Sequence, residues 1–215
     1  MVKLPRTARG RETRERILKA AAELLHLRGV HGTSVDDVLE ASGTGKSQFY
    51  LYFQSKEELV HAVLQHRSDR WHAKADEVLG KLDTWAGFEE WFRRTRTNQA
   101  NNAYVGGCPI GTLAAEMADS NDALRQAIAK EFDARRSMIV AGLQKMKDRG
   151  ELVPESDPVA MGDFVLATIQ GGLLLSRTEK SGRALDNALT HVMAHLKQFA
   201  VESTVAPGGP GTPSG

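Results

Sequence analysis

The stretch from Thr33 to Leu59 constrains the fold more than any other part of the chain. Ser34 stands three residues before Asp37, a spacing typical of the capping box that begins a helix. Gly43 follows that short segment, and a residue without a Cβ adopts positive φ at low cost in a tight turn. The pattern predicts two short helices joined by a turn. This is the helix-turn-helix arrangement, whose second helix enters the DNA major groove.

The segment after the turn has the pattern of a helix that is presented to a partner. Its first residues are polar, whereas Phe49 and Phe53 recur at helical spacing and are predicted to point inward. Ser55, three residues before Glu58, then begins the next helix with a second capping-box spacing. Because the segment between them is too short to be stable alone, we expect its neighbours to hold it.

Four features of this stretch together resemble the DNA-binding domain of the TetR family of transcriptional regulators. They are the small-residue-plus-Gly turn, Lys46 at the helix start, the aromatic run 49–53, and the opening 55–57 of the next helix. The resemblance covers residues 10–60 closely, and the remainder only as a helical layout. It implies an all-α fold of about nine helices, with an N-terminal three-helix helix-turn-helix domain and a larger helical ligand-binding and dimerisation domain.

The residue types in this stretch suit contacts with double-stranded operator DNA. Gln can bind adenine through two hydrogen bonds, Lys can reach guanine or phosphate, and Ser can contact either. In the resembled family, tyrosines on the outer side contact phosphate or thymine methyl groups, and a lysine at a helix start suits a phosphate. The chain departs from the commonest family pattern at Gly45, where Ser is frequent, and at Leu51, where His is frequent. The predicted DNA-contacting residues are Ser34, Gly45, Lys46, Ser47, Gln48, Tyr50, Tyr52 and Lys56.

The charge distribution supports a nucleic-acid contact near the N-terminus. The formal net charge is only +1, but residues 1–16 hold six basic residues against two acidic ones. We divide the chain into a disordered basic arm (1–9), the helix-turn-helix domain (10–54), the helical body (55–202) and a disordered Pro- and Gly-rich tail (203–215).

Composition and motifs argue against several other classes. A single cysteine excludes an internal disulfide, no apolar run of ~20 residues is evident, and no secretory signal precedes the charged N-terminus, so we expect a cytoplasmic protein. His191 and His195 share a helical face without a third metal ligand. Since there is also no nucleophile elbow or phosphate loop, we predict neither an enzyme nor a metal or cofactor site.

Apolar periodicity predicts helices throughout the body. The first helix is expected over about 11–28, and the fourth over about 55–80 with Val78 and Leu79 on its apolar side. The resemblance implies a homodimer through the last two long helices. We expect Leu173 and Val192 in that interface, where the pair 171–172 would allow close helix approach.

The segment 106–111, Gly-Gly-Cys-Pro-Ile-Gly, resembles one found in a TetR subgroup that includes multidrug- and flavonoid-responsive repressors. Its cysteine could sense oxidants or electrophiles, because a thiolate near a helix start is stabilised. The commoner role of a lone cysteine is that of a small packing residue, here beside a proline. Aromatic and methionine side chains of the body mostly form the core, and some are expected to line a pocket for a small-molecule effector. The ligand-binding candidates are Trp85, Phe88, Trp91, Cys108, Met117, Phe132 and Phe164.

The favoured hypothesis is a homodimeric transcriptional repressor that a small apolar or aromatic molecule releases from DNA. A first alternative is a DNA-binding redox or electrophile sensor acting through Cys108. A second is a helical ligand-binding protein with no role at DNA.

Overall fold

The computed structural model describes residues 5–79 and 81–201, and these residues form an all-α protein. Within this part of the chain there are nine helices and no strand, with one isolated bridge between Leu152 and Ala200. The predicted fold class is therefore confirmed. The helices are α1 (Ala8–Arg28), α2 (Val35–Ser42), α3 (Lys46–Tyr52), α4 (Lys56–Leu79), α5 (Trp85–Asn101), α6 (Pro109–Met117), α7 (Asp122–Asp148), α8 (Pro158–Glu179) and α9 (Arg183–Lys197).

Helix α1 begins at Ala8, not near Arg11 as its apolar period suggested. The Thr7 hydroxyl accepts a hydrogen bond from the Gly10 amide at 3.1 Å and caps the helix. Residues 8 and 9, assigned from sequence to a disordered arm, are thus helical. Residues 1–4 of that arm, and the tail after Val201, lie outside the described residues, as do the side chains of Val78 and Leu79.

One hydrophobic cluster joins the three N-terminal helices to the rest of the molecule. Phe49 and Phe53 are both fully buried, as the sequence pattern predicted, and pack with α1, α2 and α4. The same cluster includes Ile110 and Leu113 from α6 and Leu124 from α7. Helix α6 and the N-terminal helices therefore share one continuous hydrophobic core.

A second cluster, from α5, α7, α8 and α9, forms the core of the body. Leu173 and Val192, expected at a dimer interface, are only 7% and 0% exposed in the single chain and belong to this core. Gly172 permits the close crossing, since a Cβ there would lie 3.2 Å from the Leu185 Cα on α9. These residues therefore join α8 to α9 within one chain, and the interface prediction for Leu173 and Val192 is wrong.

Helix α8 is apolar on nearly every side. Among the described helices it alone is long and apolar enough to cross a membrane by length and composition, which corrects the expectation that the chain has no apolar run of about 20 residues. Its buried side packs on α7 and α9. Its other side exposes Val159, Phe164, Leu174 and Leu175. A helix that packs in a core and also presents an apolar face accounts for this composition.

Candidate DNA interface and ligand pocket

The turn between α2 and α3 is fixed by local hydrogen bonds. The Ser34 hydroxyl accepts from the Asp37 amide at 3.1 Å, and the Asp37 carboxylate accepts from the Ser34 amide at 2.7 Å, which completes the predicted capping box. Hydrogen bonds from the Ser34 hydroxyl and amide lower the pKa of Asp37. At the other end Gly43 adopts the left-handed conformation, with φ of 61°. Ser34 thus acts as a helix cap, and its hydroxyl is already engaged.

Helix α3 begins without a side-chain cap, because its N-cap is Gly45. The Gly45 amide instead donates to the Gln48 side-chain oxygen over a long 3.4 Å. Lys46 pairs with Asp36 at 3.2 Å, and both side chains are largely exposed, at 67% and 72%. An exposed ion pair of this kind contributes little to stability, so both Lys46 and Gln48 can be redirected to DNA at low cost.

The exposed side of α3 carries most of the predicted DNA-contacting residues. Lys46, Ser47 and Gln48 are exposed, and Tyr50 is 55% exposed. Leu51 is exposed to 65%, so an apolar side chain capable of contacting a thymine methyl group stands on this face, although it was absent from the predicted set. From the sequence, Leu51 was noted only as a residue that differs from the commonest family pattern.

Tyr52 differs from its prediction. It is half-buried and packs against the cluster around Phe49 and Phe53 rather than on the free outer side. Its hydroxyl lies 3.3 Å from the position that a Cβ on Gly10 would take, so it reaches the first turn of α1. Two residues along a helix turn the side chain by about 200°, which separates Tyr52 from Tyr50.

Lys56 is the first residue of α4, as predicted for a phosphate contact at a helix start. The Ser55 hydroxyl accepts from the Glu58 amide at 3.2 Å. The Glu58 carboxylate accepts from the Gln54 amide at 2.7 Å, one residue before the position that a capping box requires. The start of α4 is nevertheless capped, and Lys56 is half-buried.

A cavity of about 290 Å³ lies between α6, α7 and α8, and we name it the α6–α8 pocket. It brings together only Cys108 and Phe132 of the predicted ligand-binding residues. Three further lining residues, Gly106, Gly107 and Gly111, lie in the segment 106–111 that was singled out from the sequence, whereas no local pattern marks the lining residues outside it. The pocket is lined by Gly106, Gly107, Cys108, Gly111, Thr112, Ala115, Phe132, Gln170, Gly171, Leu174 and Arg177.

The remaining ligand-binding candidates lie elsewhere. Met117 is buried in the cluster that joins α6 to the N-terminal helices, and Phe88 is fully buried in the body core. Trp85 and Trp91 pack, partly buried, against that same core. Phe164 is 41% exposed on the outer face of α8. These five residues therefore lie in the hydrophobic core or on the surface, and not in the pocket.

Polar groups of the pocket are ordered by short-range contacts. The Cys108 thiol caps α6 by accepting from the Gly111 amide at 3.4 Å. The Thr112 hydroxyl accepts from the Arg177 guanidinium at 3.0 Å. Gly107, with φ of 61°, packs on the aliphatic stem of Arg177, since a Cβ there would lie 3.4 Å from its Cδ. The loop and α6 thus hold Arg177 in place.

His26 of α1 packs behind the pocket, with its ring against Gly106. Its Nδ1 atom is buried and finds no hydrogen-bond partner among the described residues. Burial, with smaller effects of the nearby Arg67 and Arg177 charges, lowers the pKa of His26 to about 4. The imidazole is therefore neutral at physiological pH.

This pKa makes stability depend on pH. The unfolded chain binds the His26 proton below about pH 6.5, whereas the folded chain binds it only near 4, so we expect stability to fall as pH decreases through that window. His26→Gln should abolish this fall in the free energy of unfolding, which is on the order of 1 kcal/mol after a discount for the partial exposure of the ring. Urea unfolding at pH 7.5 and pH 5 measures it, with His31→Gln, an exposed position, as the control. Equal pH dependence in all three proteins would contradict the assignment.

A side-chain hydrogen bond connects α6 to the α1–α2 turn, in addition to the hydrophobic contacts between α6 and the N-terminal helices. Glu116 follows the pocket-lining residue Ala115, and its carboxylate accepts from the His31 amide at 2.9 Å in the turn between α1 and α2. It also packs on Gly29, whose φ of 76° and lack of a Cβ allow the close approach. Helix α6 thus lines the pocket and also contacts the DNA-binding domain.

Two family models match the chain in tandem. Residues 17–63 match bacterial regulatory proteins of the tetR family, and residues 85–191 match the C-terminal domain of LmrA/YxaF-like transcriptional regulators. The first covers the helix-turn-helix and the second the pocket-bearing body.

Individual proteins agree with these matches. An HTH-type transcriptional regulator in the lacX 3' region of Lactococcus lactis is 30% identical over 82% of this chain and 89% of its own length. The HTH-type transcriptional repressor NemR of Escherichia coli is 25% identical over 84% and 92%.

Solved structures give the same fold. A TetR transcriptional regulator of Chloroflexus aurantiacus is 29% identical with a TM-score of 0.76, covering 90% of this chain and 98% of its own. The reduced form of E. coli NemR has a TM-score of 0.74 at 24% identity, covering 90% and 100%. The chain therefore belongs to the TetR family of transcriptional regulators, which are not enzymes and which bind operator DNA as homodimers.

Proposed function

We propose that this protein is a cytoplasmic dimeric repressor that a small molecule in the α6–α8 pocket releases from its operator. The observation that carries the proposal is that α6 contacts both the pocket and the DNA-binding domain. Gly111, Thr112 and Ala115 line the pocket, and Glu116 on the same helix contacts the α1–α2 turn. A ligand that displaces α6 therefore changes the preferred position of the DNA-binding domain. If the position favoured by the ligand fits the operator poorly, the ligand lowers operator affinity by increasing the population of that conformation.

The dimer is proposed to form through the exposed apolar face of α8 together with α9. Phe164, Leu174 and Leu175 are exposed there, and a Cβ at Gly171 would meet open space. Two such helix pairs make a four-helix bundle. Gly171 and Leu174 also line the pocket, so the ligand site adjoins the dimer face.

A fluorescence-anisotropy screen tests ligand release directly. Labelled operator, obtained by selection from random DNA, is bound by the purified protein and challenged with a small-molecule library. Compounds that lower anisotropy should lose their effect when Gly111→Val narrows the pocket, because its Cβ position already lies 3.1 Å from the Gln170 oxygen. A library without any releasing compound, or release that survives the narrowed pocket, would contradict the proposal.

Redox sensing by Cys108 is the second candidate. The half-buried thiol lines the pocket and caps α6, so an oxidant that enters the pocket meets it at the start of that helix. The similar NemR repressor is known in a reduced form. Operator release by hydrogen peroxide should be abolished by Cys108→Ser, whereas release by the screened compounds should persist. Peroxide release that survives Cys108→Ser removes this candidate.

The Glu116 contact gives a prediction about coupling. Glu116→Ala should bind operator normally but need up to about tenfold more compound for half-release, because a typical allosteric coupling is worth about 1–3 kcal/mol. Glu116→Gln retains an acceptor for the His31 amide and serves as the matched control. Anisotropy titrations compare the three proteins. Unchanged half-release by the alanine variant would show that the DNA-binding domain is coupled elsewhere.

The basic arm gives a second prediction. Lys3→Ala with Arg6→Ala removes two charges while keeping Thr7, which caps α1. Operator affinity should fall for all sequences, and the slope of log affinity against log salt should flatten by about 0.9 for each phosphate that the arm no longer neutralises. Binding titrations from low to high KCl measure the slope. A slope equal to that of the parent would make the arm irrelevant to DNA.

A further inference from the structure

We propose that the effector of the α6–α8 pocket is a small apolar monocarboxylate whose anionic group binds Arg177. This inference rests on the proposed ligand response for its biological meaning, but it concerns the chemistry of the pocket alone.

Arg177 carries a charge inside the pocket without a matching carboxylate. Its guanidinium donates to the Thr112 hydroxyl at 3.0 Å, and no Asp or Glu oxygen in the described part of the chain lies within 4.0 Å of it. A guanidinium has five N–H donors in a rigid fork, and one of them reaches Thr112. The fork fits a carboxylate through two parallel hydrogen bonds.

The surroundings of Arg177 are positive as well. Arg67 is largely buried, where its guanidinium donates to the Ala22 carbonyl, and Glu23 acts on its charge only from beyond ion-pair distance. The charges of both arginines act on His26, whose buried Nδ1 has no partner among the described residues. Positive groups gathered without a close counter-charge favour an anion over a neutral or cationic ligand.

The rest of the pocket sets the apolar part of the ligand. Ala115, Phe132 and Leu174 give it apolar walls, and glycines at 106, 107, 111 and 171 leave room for a flat molecule. The Gln170 amide is the remaining uncharged polar group of the α8 wall. A volume of about 290 Å³ is at the small end of ligand pockets, which suits a one- or two-ring acid rather than a large multidrug substrate.

Matched acid and amide probes test this chemistry. Calorimetric titration of the full chain with 2-naphthoate and 2-naphthamide, and with octanoate and octanamide, compares charge at constant shape. We expect at least one acid to bind about tenfold to a hundredfold more tightly than its amide, as a hydrogen bond to a charged group gives. Arg177→Met should remove that preference. Arg183→Met, at an exposed arginine paired with Glu179, should keep it.

Several outcomes would overturn the inference. They are equal binding of acid and amide, an acid preference that survives Arg177→Met, and no acid binding at millimolar concentration. Circular dichroism checks folding, and Arg177→Gln replaces the methionine variant if that variant unfolds. Operator anisotropy separates the two proposals. An acid that binds through Arg177 but leaves operator binding unchanged refutes the ligand response only, whereas release by neutral compounds alone refutes the anion site only.

Discussion

A helical monomer with at least about a hundredfold weaker operator binding is the expected product of Leu174→Glu with Leu175→Glu. Both side chains are exposed in the single chain, at 63% and 50%, so glutamates there leave the protomer core intact. In a dimer through α8 the same charges would be buried without partners, which is strongly unfavourable. Since one DNA-binding domain reaches one half-site, the monomer forgoes the avidity of two linked sites, commonly about 10²–10⁴.

Sedimentation velocity, circular dichroism and operator titration are measured on the same sample. Ala141→Glu, at an exposed position of α7, should remain dimeric and controls for added charge. By contrast, Leu173→Glu and Val192→Glu should unfold the chain, because both residues are in the protomer core. A dimer that persists in the Leu174/Leu175 variant would place the interface on another surface.

Weaker operator binding, by about thirtyfold or more, is expected for Lys46→Ala and for Tyr50→Ala. Each removed base or phosphate contact is worth about 1–3 kcal/mol, and the dimer carries two copies of each substitution. Helicity and dimerisation should not change, since the Lys46 side chain is 67% exposed and Tyr50 is 55% exposed. Lys130→Ala, an exposed lysine on α7, is the control. Parental affinity in both variants would mean that α3 does not read the operator.

The helix-turn-helix was predictable because its signals are local. The Ser34–Asp37 capping box, the left-handed Gly43 and the inward Phe49 each depend on residues within one turn of sequence. Tyr52 was wrongly assigned to the outer face because its position depends on packing against the first turn of α1, which is distant in the sequence. The start of α1 was missed because a threonine cap, not an apolar period, sets it.

The pocket was not predictable in the same way. Its walls come from α6, α7 and α8, and Cys108, Phe132 and Arg177 meet only after the body has folded. Aromatic content drew attention to α5, whose Phe88 is needed by the core. The proposed dimer face of α8 presented a similar difficulty. That helix is apolar on nearly every side, so periodicity could not separate the buried Leu173 from the exposed Leu174.

Selection of bound DNA from a random library, followed by operator titration against KCl, tests the central claim most directly. A dimeric operator-binding repressor should enrich a two-fold symmetric site with half-sites a whole number of helical turns apart. Its affinity should fall linearly on a log–log plot against salt, by about 0.9 per phosphate contact, and Lys46→Ala should weaken it. No enriched sequence, or an affinity that neither salt nor Lys46→Ala changes, would contradict the claim.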